Sequence, residues 1–282
     1  MPTDSAPNVA IFAVGAMGSG VGRRLTVNGV QVTTCLEGRS EASRRRAEAA
    51  GMVDVPLQRL AEADLFLSIL PPSEAVALAR RMAPVLGPRN VVYVDCNAVS
   101  PATAKEIGDI VITAGCPFVD AGIIGGPPSD KTNPRIYASG EHARRFAELA
   151  RYGLDIPVLD GPNGAASALK LSYAGISKGI TALGAAMMLA ATRAGAADAL
   201  RQELAHSQAE VLKGFQRTMP GMYDKAYRFA GEMEEIAAFI GADRPEAGIY
   251  RGMAGLYECI AADLKGDKRE IGALDAILAK KD

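Results

Sequence analysis

Two stretches of this chain combine residue types that do chemistry. The first centres on Lys170, with no other charge from Gly161 to Gly175. On a helix, at about 100° per residue, Lys170, Tyr173, Ala174 and Ser177 share one face. A lysine in an apolar cleft loses proton affinity by desolvation, so its amine exchanges a proton near neutral pH. A surface lysine laying its methylenes over apolar neighbours accounts for the same pattern. The second stretch is NVAIFAVGAMGSGVGRRL, residues 8–25. An apolar run, Val9 to Val14, opens into a glycine-rich turn and then a helix-forming segment. Such a turn lets backbone approach an anion, and free N–H groups at the helix start favour a dinucleotide phosphate. Against G-x-G-x-x-G the match is Ala13-Val14-Gly15-Ala16-Met17-Gly18, with alanine at the first glycine. Ala13 serves there only if its φ stays negative. A glycine-rich βα turn in an unrelated α/β protein remains the other reading.

The elements that must position these groups follow from patterning. Candidate strands are Val9–Val14, Gln31–Cys35, Leu65–Ile69, Val91–Asp95, Ile110–Thr113 and Phe118–Asp120, with a further pair from Arg135–Ser139 and Pro157–Leu159. Helices are expected over Ser19–Asn28, Ser40–Ala50, Ser73–Val85, Ser100–Ile107 and His142–Tyr152. Strands alternating with helices predict an α/β fold with a parallel, doubly wound Rossmann sheet, its functional loops at the strands' carboxyl ends. Four such loops stand out: Ser68 to Pro72, Asp95 to Pro101, Asp120 to Pro127, and Gly164 to Lys170. Ser100 is the expected N-cap of its helix, with Pro101 in the first turn.

Beyond Gly161-Pro162-Asn163-Gly164 the β signal vanishes. Helices are expected over Ala165–Arg193, Asp198–Arg217, Met222–Phe239, Ala247–Lys265 and Ile271–Lys280. The chain therefore reads as a nucleotide-binding domain, residues 1–162, followed by an all-helical domain, residues 163–282. Gly175, Gly179 and Gly184 in the first long helix suit close packing between domains or subunits, although each also lowers helix propensity by about 1 kcal/mol.

Composition narrows the function. Of 282 residues, 5% are aromatic, none is tryptophan, and the net charge is -1. This argues against base stacking and against a basic field for nucleic acid or membranes. Cys35, Cys96, Cys116 and Cys259 have neither zinc nor disulfide spacing and read as reduced thiols of a cytoplasmic protein. MPTDSAP has no signal-peptide pattern, and the apolar stretch from Ile180 to Ala191 is short and broken by glycine. No metal site is expected: His142 and His206 fall in different domains, and no carboxylate cluster has ligand spacing.

Together the four loops resemble the β-hydroxyacid dehydrogenase superfamily, which includes 3-hydroxyisobutyrate and 6-phosphogluconate dehydrogenases. The resemblance runs from Asn8 to about Lys178. The superfamily's D-A-P-V-S-G-G is similar to Asp120 through Gly126, its D-x-S-T-x-x-P to Asp95 through Pro101, and its G-x-G-x-x-x-K-x-x-x-N to Gly164 through Ala174. The resemblance implies that Lys170 is the catalytic lysine. The stretches Leu169–Gly179, Met219–Met222 and Glu232–Phe239 resemble a poorly characterised phosphogluconate-dehydrogenase-like subgroup. Two departures stand out. The superfamily's substrate-binding serine is Ile124 here, and its helix asparagine is Ala174. The implied substrate-binding residues are Ile124, Gly125, Gly126, Tyr173 and Ser177, and the substrate differs from a simple 3-hydroxy acid.

The cofactor-facing set is Gly15, Ala16, Met17, Gly18, Arg39, Ser40, Leu70, Pro71 and Asn97. Arg39 and Ser40 after the second strand suit the 2′-phosphate of NADP, whereas Glu37 suits NAD. Arg44, Arg45 and Arg46 also fit a solvated helix face. The expected activity is hydride transfer between NADP or NAD and a small hydroxy or keto compound, in a homodimer joined through the helical domain. An imine reductase and a non-catalytic nucleotide-binding regulator are the alternatives.

Overall fold

The structure, a computed structural model, describes residues 6–279. Lys280, the expected end of the last helix, and the first five residues of the polar N-terminus lie outside the described residues. The chain forms two compact units, Met1–Lys170 and Leu171–Asp282.

In the first unit, strands β1 (Val9–Phe12), β2 (Val32–Thr34), β3 (Val53–Asp54), β4 (Leu65–Ser68), β5 (Val92–Asp95), β6 (Phe118–Ile124) and β7 (Arg135–Ser139) form one sheet of order β3-β2-β1-β4-β5-β6-β7. All neighbours are parallel except β6 and β7. Between them run α1 (Ala16–Val27), α2 (Glu41–Ala49), α3 (Ala75–Leu86) and α4 (Pro101–Thr113), and α5 (Ala143–Ala147) follows β7. Alternate strand residues feed two cores. Val9, Ile11, Leu65, Leu67, Val92 and Val94 pack with Val21, Leu25, Ala47 and Phe146. Ala10, Phe66, Tyr93 and Phe118 pack with Leu78, Met82, Ile107 and Val111. Both faces of the sheet are thus covered, which explains the nearly continuous apolar runs of the central strands.

Several expectations change. Ile110–Thr113 is the last turn of α4, not a strand. The run is β-branched, but the helix started by the Ser100 cap (Thr103 N–H to Ser100 Oγ, 3.1 Å) continues because Ala104, Ile107 and Val111 bury at helical spacing. β6 extends to Ile124 and converts part of the glycine-rich loop into strand. Pro157–Leu159 contributes only an isolated bridge, Val158 to Ala138. The two-residue edge strand β3 had no recognisable signal.

In the second unit, α6 (Ala165–Arg193) runs on from the first, followed by α7 (Ala197–Ser207), α8 (Ala209–Thr218), α9 (Ala226–Ile240), α10 (Ala247–Lys265) and α11 (Arg269–Leu278). The single helix expected over Asp198–Arg217 breaks at Gln208, whose φ of -138° and ψ of 43° leave the helical region. Met219, Met233, Tyr257, Ile260 and Leu274 centre its core. Lys178 is paired with Glu232 and lies over the Phe229 ring, while Tyr257 Oη donates to the Lys178 carbonyl at 2.7 Å. Taken whole, α6 has the length and apolarity of a membrane span, which residues 180–191 alone do not suggest. About 44% of its most apolar window is buried within the protein.

The glycine-rich turn holds the main backbone surprise. Ala13 has φ +76°, contrary to the expectation of a negative value. An L-residue there carries about 1–2 kcal/mol of strain. Ala13→Gly relieves that strain and loses part of the gain to unfolded-chain entropy. The expected result is a net stabilisation of about 0.5–1 kcal/mol, read as a thermal midpoint raised by about 2 °C; a lowered midpoint contradicts it.

Candidate functional site

A row of side chains crosses the sheet at a single register. Phe12, Ser68, Asp95, Asp120 and Ser139 are successive partners across β1, β4, β5, β6 and β7. Residues so paired point to one face. Ser68, Asp95, Asp120 and Ser139 are all buried, so each polar atom needs a partner.

Asp120 is richly supplied. Its Oδ2 accepts from Ser139 Oγ, the Gly164 N–H and the Ser167 N–H, each at 3.0 Å, and its Oδ1 accepts from Ser167 Oγ at 2.6 Å. Ser139 Oγ in turn accepts from the Ala166 N–H at 3.1 Å. The sheet thereby caps the otherwise orphaned N–H groups opening α6, and the carboxylate faces the positive end of the helix dipole. Gly122 permits this seating, since a Cβ there would lie 2.7 Å from the Ala166 carbonyl oxygen and 3.2 Å from Lys170 Cβ. Lys170 therefore starts directly over β6.

Lys170 is half-buried. Burial lowers its pKa from the ordinary lysine value, while Cys96, Asp95 and Asp120 pull the other way. Asp95 is pushed up to about 7 by burial first and by Asp120 second, opposed by the bonds from Asn97 and by Lys170. Burial also pushes the Cys96 thiol up. Asn97 ties this cluster to the neighbouring loop. Its Nδ2 donates to Asp95 Oδ1 and, at 2.7 Å, to Ser68 Oγ, and its Oδ1 accepts the Leu70 N–H at 2.7 Å. Both amide donors of Asn97 are thus engaged within the protein, and its side chain sets the backbone of the loop carrying Leu70 and Pro71.

The glycine-rich turn fits a dinucleotide. Gly15 is the N-cap of α1 and supplies no side-chain cap. A Cβ at Gly15 would meet no protein atom within 4 Å, so packing does not require glycine there, and a helix start of this kind suits an anion at the backbone N–H groups of Ala16, Met17 and Gly18. Arg46 Nε donates to the Val14 carbonyl and Arg44 to the Leu36 carbonyl, each at 2.8 Å. These two arginines hold the turn and the end of β2, while Arg45 pairs with Glu41 on the surface. Ser40 caps α2 by accepting the Ser43 N–H. Next to the turn lies a cleft of about 350 Å³ lined by Phe12, Glu37, Arg39, Leu70 and Arg81, among others. The Arg39 guanidinium lies 4.9 Å from the centre of the Phe12 ring.

Sequence reasoning brought forward Lys170, the glycine turn, Arg39, Leu70 and Asn97, and the first unit gathers them at the strands' carboxyl ends. Ile124 ends β6 and Gly125 and Gly126 follow it, with Ile124 half-buried and both glycines exposed. Tyr173 and Ser177 lie one and two turns beyond Lys170 in the second unit, both exposed, and Ser177 Oγ donates to its own helix at the Ala174 carbonyl. The roles of Asp95, Asp120 and Ser68 were missed, although the first two open the quoted motifs; their signal was a polar residue within or ending an otherwise apolar strand. Arg81 carried no signal beyond its place on an ordinary helix. Among the described residues, no group of three His, Cys, Asp or Glu is placed to hold a metal ion.

Comparison with known proteins agrees with this fold. Residues 8–151 match the family described as the NAD binding domain of 6-phosphogluconate dehydrogenase, and residues 191–260 match a domain of unknown function. An uncharacterised 28.5 kDa protein of Methanothermus fervidus is 27% identical over 214 residues, covering 75% of this chain and 82% of that one. A solved protein of unknown function, described as structurally similar to 3-hydroxyacid dehydrogenases, superposes with a TM-score of 0.78 at 27% identity, covering 92% of this chain and 98% of that one. A 3-hydroxyisobutyrate dehydrogenase from Salmonella typhimurium shares the fold, with a TM-score of 0.66 at 19% identity over 92% of this chain and 99% of its own. With a dinucleotide turn of fitting shape and a family match spanning half its length, the chain belongs to the 6-phosphogluconate dehydrogenase NAD-binding family, and so to the β-hydroxyacid dehydrogenase superfamily.

Proposed function

We propose that this protein is an NAD(P)-dependent oxidoreductase acting on a small hydroxy or keto compound, with Lys170 as its general acid–base. The observation that carries this reading is the seating of Lys170. Asp120 fixes the start of its helix, Gly122 lets the helix lie on β6, and burial lowers the amine's proton affinity. A bound nicotinamide would supply or accept the hydride. The lysine takes the alcohol proton during oxidation and returns it during reduction, because a neutral amine is accessible in its desolvated surroundings. Ile124 offers an apolar wall where relatives are expected to carry a serine, which favours a substrate with an apolar substituent. Retention of a lysine at position 170 supports alcohol chemistry over imine reduction, and an intact acid–base site speaks against a purely regulatory role.

NADP is the proposed cofactor. Arg39 and Arg81 line one cleft beside the turn and suit a 2′-phosphate, with Glu37 as the opposing charge. A second copy of this chain is the proposed partner. Ile176, Ile180, Leu183 and Met187 follow one another at spacings of four, three and four along α6, and each is more than half exposed. That is the spacing of a helix–helix seam.

Three outcomes test these readings. Lys170→Ala is expected to abolish turnover across a panel of hydroxy acids, ketones and cyclic imines while NADPH affinity by fluorescence titration stays within about twofold; undiminished turnover removes Lys170 from the mechanism. Arg39→Ala is expected to weaken NADP binding by about tenfold or more, as for loss of one charged hydrogen bond, with NAD binding little changed; an equal loss for both cofactors contradicts the 2′-phosphate role. Leu183→Glu is expected to shift the mass by light scattering from dimer to monomer. A wild-type protein that is already monomeric contradicts the seam.

A further inference from the structure

We propose that Gly20 and Arg24 form a seat on α1 for the loop that follows β6, and that Arg24 is thereby a positioning residue for substrate. The inference rests on the oxidoreductase reading, in which Gly125 and Gly126 face substrate, and deepens it.

The loop spans residues 125–134, because Ile124 and Arg135 are the last partners of the antiparallel pair β6–β7. Connections of this kind usually take about two to five residues, and a longer one costs more entropy to hold in one shape. This loop is held first by itself. The Ser129 N–H donates to the Thr132 carbonyl at 2.9 Å, and the Thr132 N–H returns to the Ser129 carbonyl at 3.3 Å. Thr132 Oγ1 donates to the Pro127 carbonyl at 2.9 Å. At its base Gly125 has φ +129°, and a Cβ there would lie 3.0 Å from Pro134 Cβ. Only glycine suits that position. The folded hairpin therefore sets where Gly125 and Gly126 lie.

The second hold comes from α1. Arg24 Nη2 donates to the Ser129 carbonyl at 2.7 Å and to the Thr132 carbonyl at 3.3 Å. One nitrogen of a permanently charged group thus bridges both ends of the hairpin. Four residues earlier, on the same helix face, a Cβ at Gly20 would lie 2.9 Å from Pro128 Cδ and 3.2 Å from the Pro128 carbonyl oxygen. The loop rests on bare helix at Gly20 and is tied down at Arg24. The Arg24 stem is itself confined: a Cβ at Gly153 would lie 3.1 Å from its Cδ, and the Gly153 carbonyl accepts from Asn133 Nδ2 at 3.2 Å. The first turn of this same helix carries the N–H groups of Ala16, Met17 and Gly18. One rigid element therefore offers its start to the dinucleotide and its flank to the substrate loop.

The test combines hydrogen exchange and steady-state kinetics on the full-length protein. Ser129 and Thr132 are exposed, so in Arg24→Ala water replaces the guanidinium at their carbonyl groups and the fold survives. Exchange over residues 126–133 is expected to quicken by about tenfold, as for one lost charged hydrogen bond, with β1 and β4 unchanged. For the compound turned over fastest in the panel of hydroxy acids, ketones and cyclic imines, KM is expected to rise by about tenfold while kcat changes by less than about threefold. NADPH affinity stays within about twofold. Arg24→Lys, which keeps a charged donor, is expected to recover most of the loss, and Gly20→Ala to reproduce the KM rise by lifting the loop. Unchanged exchange over residues 126–133 in Arg24→Ala, or a loss of NADPH affinity as large as the rise in KM, overturns the proposal. If the wild type turns over no panel compound, the oxidoreductase reading falls and the exchange arm decides the seat alone. If turnover requires Lys170 but KM is unmoved in Arg24→Ala, only the positioning role falls.

Discussion

The site depends on one buried carboxylate. Asp120, in the middle of β6, receives two backbone N–H groups and a hydroxyl from the first turn of α6, and a further hydroxyl from Ser139 on β7. A carboxylate accepting several backbone donors at a helix start combines charged hydrogen bonds with the favourable end of the dipole. Its geometric effect matters as much as its energy. It fixes both the position and the rotation of the helix start, and Lys170 follows within two turns. Truncating Asp120 leaves several buried donors without an acceptor, each costing about 1–3 kcal/mol.

Two aspartates at the same register therefore do different work. Asp120 is surrounded by donors supplied by the helix it anchors. Asp95, one strand away, receives only the Asn97 amide and keeps one bare oxygen. Their strands are neighbours, about 4.8 Å apart, and the Asp120 charge adds to burial in raising the Asp95 carboxyl. Lys170 opposes that rise from α6 as a smaller electrostatic influence. The row is thus a structural anchor and a titratable group side by side, distinguished by hydrogen-bond supply and not by residue type.

Much of this was legible in the chain. The glycine turn, the alternating first half and the helical second half follow from local chemistry, and Lys170 stood out because nothing else near it is charged. The boundaries that failed were decided by tertiary packing. Ile110–Thr113 has β-prone residues but is held in α4 by the burial of Ile107 and Val111. The polar row was not legible, because Ser68, Asp95, Asp120 and Ser139 are scattered over some seventy residues and come together only through strand register. Arg44 and Arg46 were equally opaque. As sequence they are a basic helix face, yet as structure they are ties to carbonyl groups.

Those ties also bear on why an alanine occupies a left-handed position. Strain at Ala13 persists only where the surroundings over-determine the backbone. Here the Arg46 guanidinium fastens the adjacent Val14 carbonyl, and the Ile69 N–H bonds the Phe12 carbonyl at 3.2 Å. The turn is held on both sides of Ala13 by groups from α2 and from the loop after β4. That same loop is held by Asn97, whose amide also bonds Asp95. The glycine-rich turn and the buried polar row are consequently linked through a short chain of contacts, from Phe12 through Ile69, Leu70 and Asn97 to Asp95.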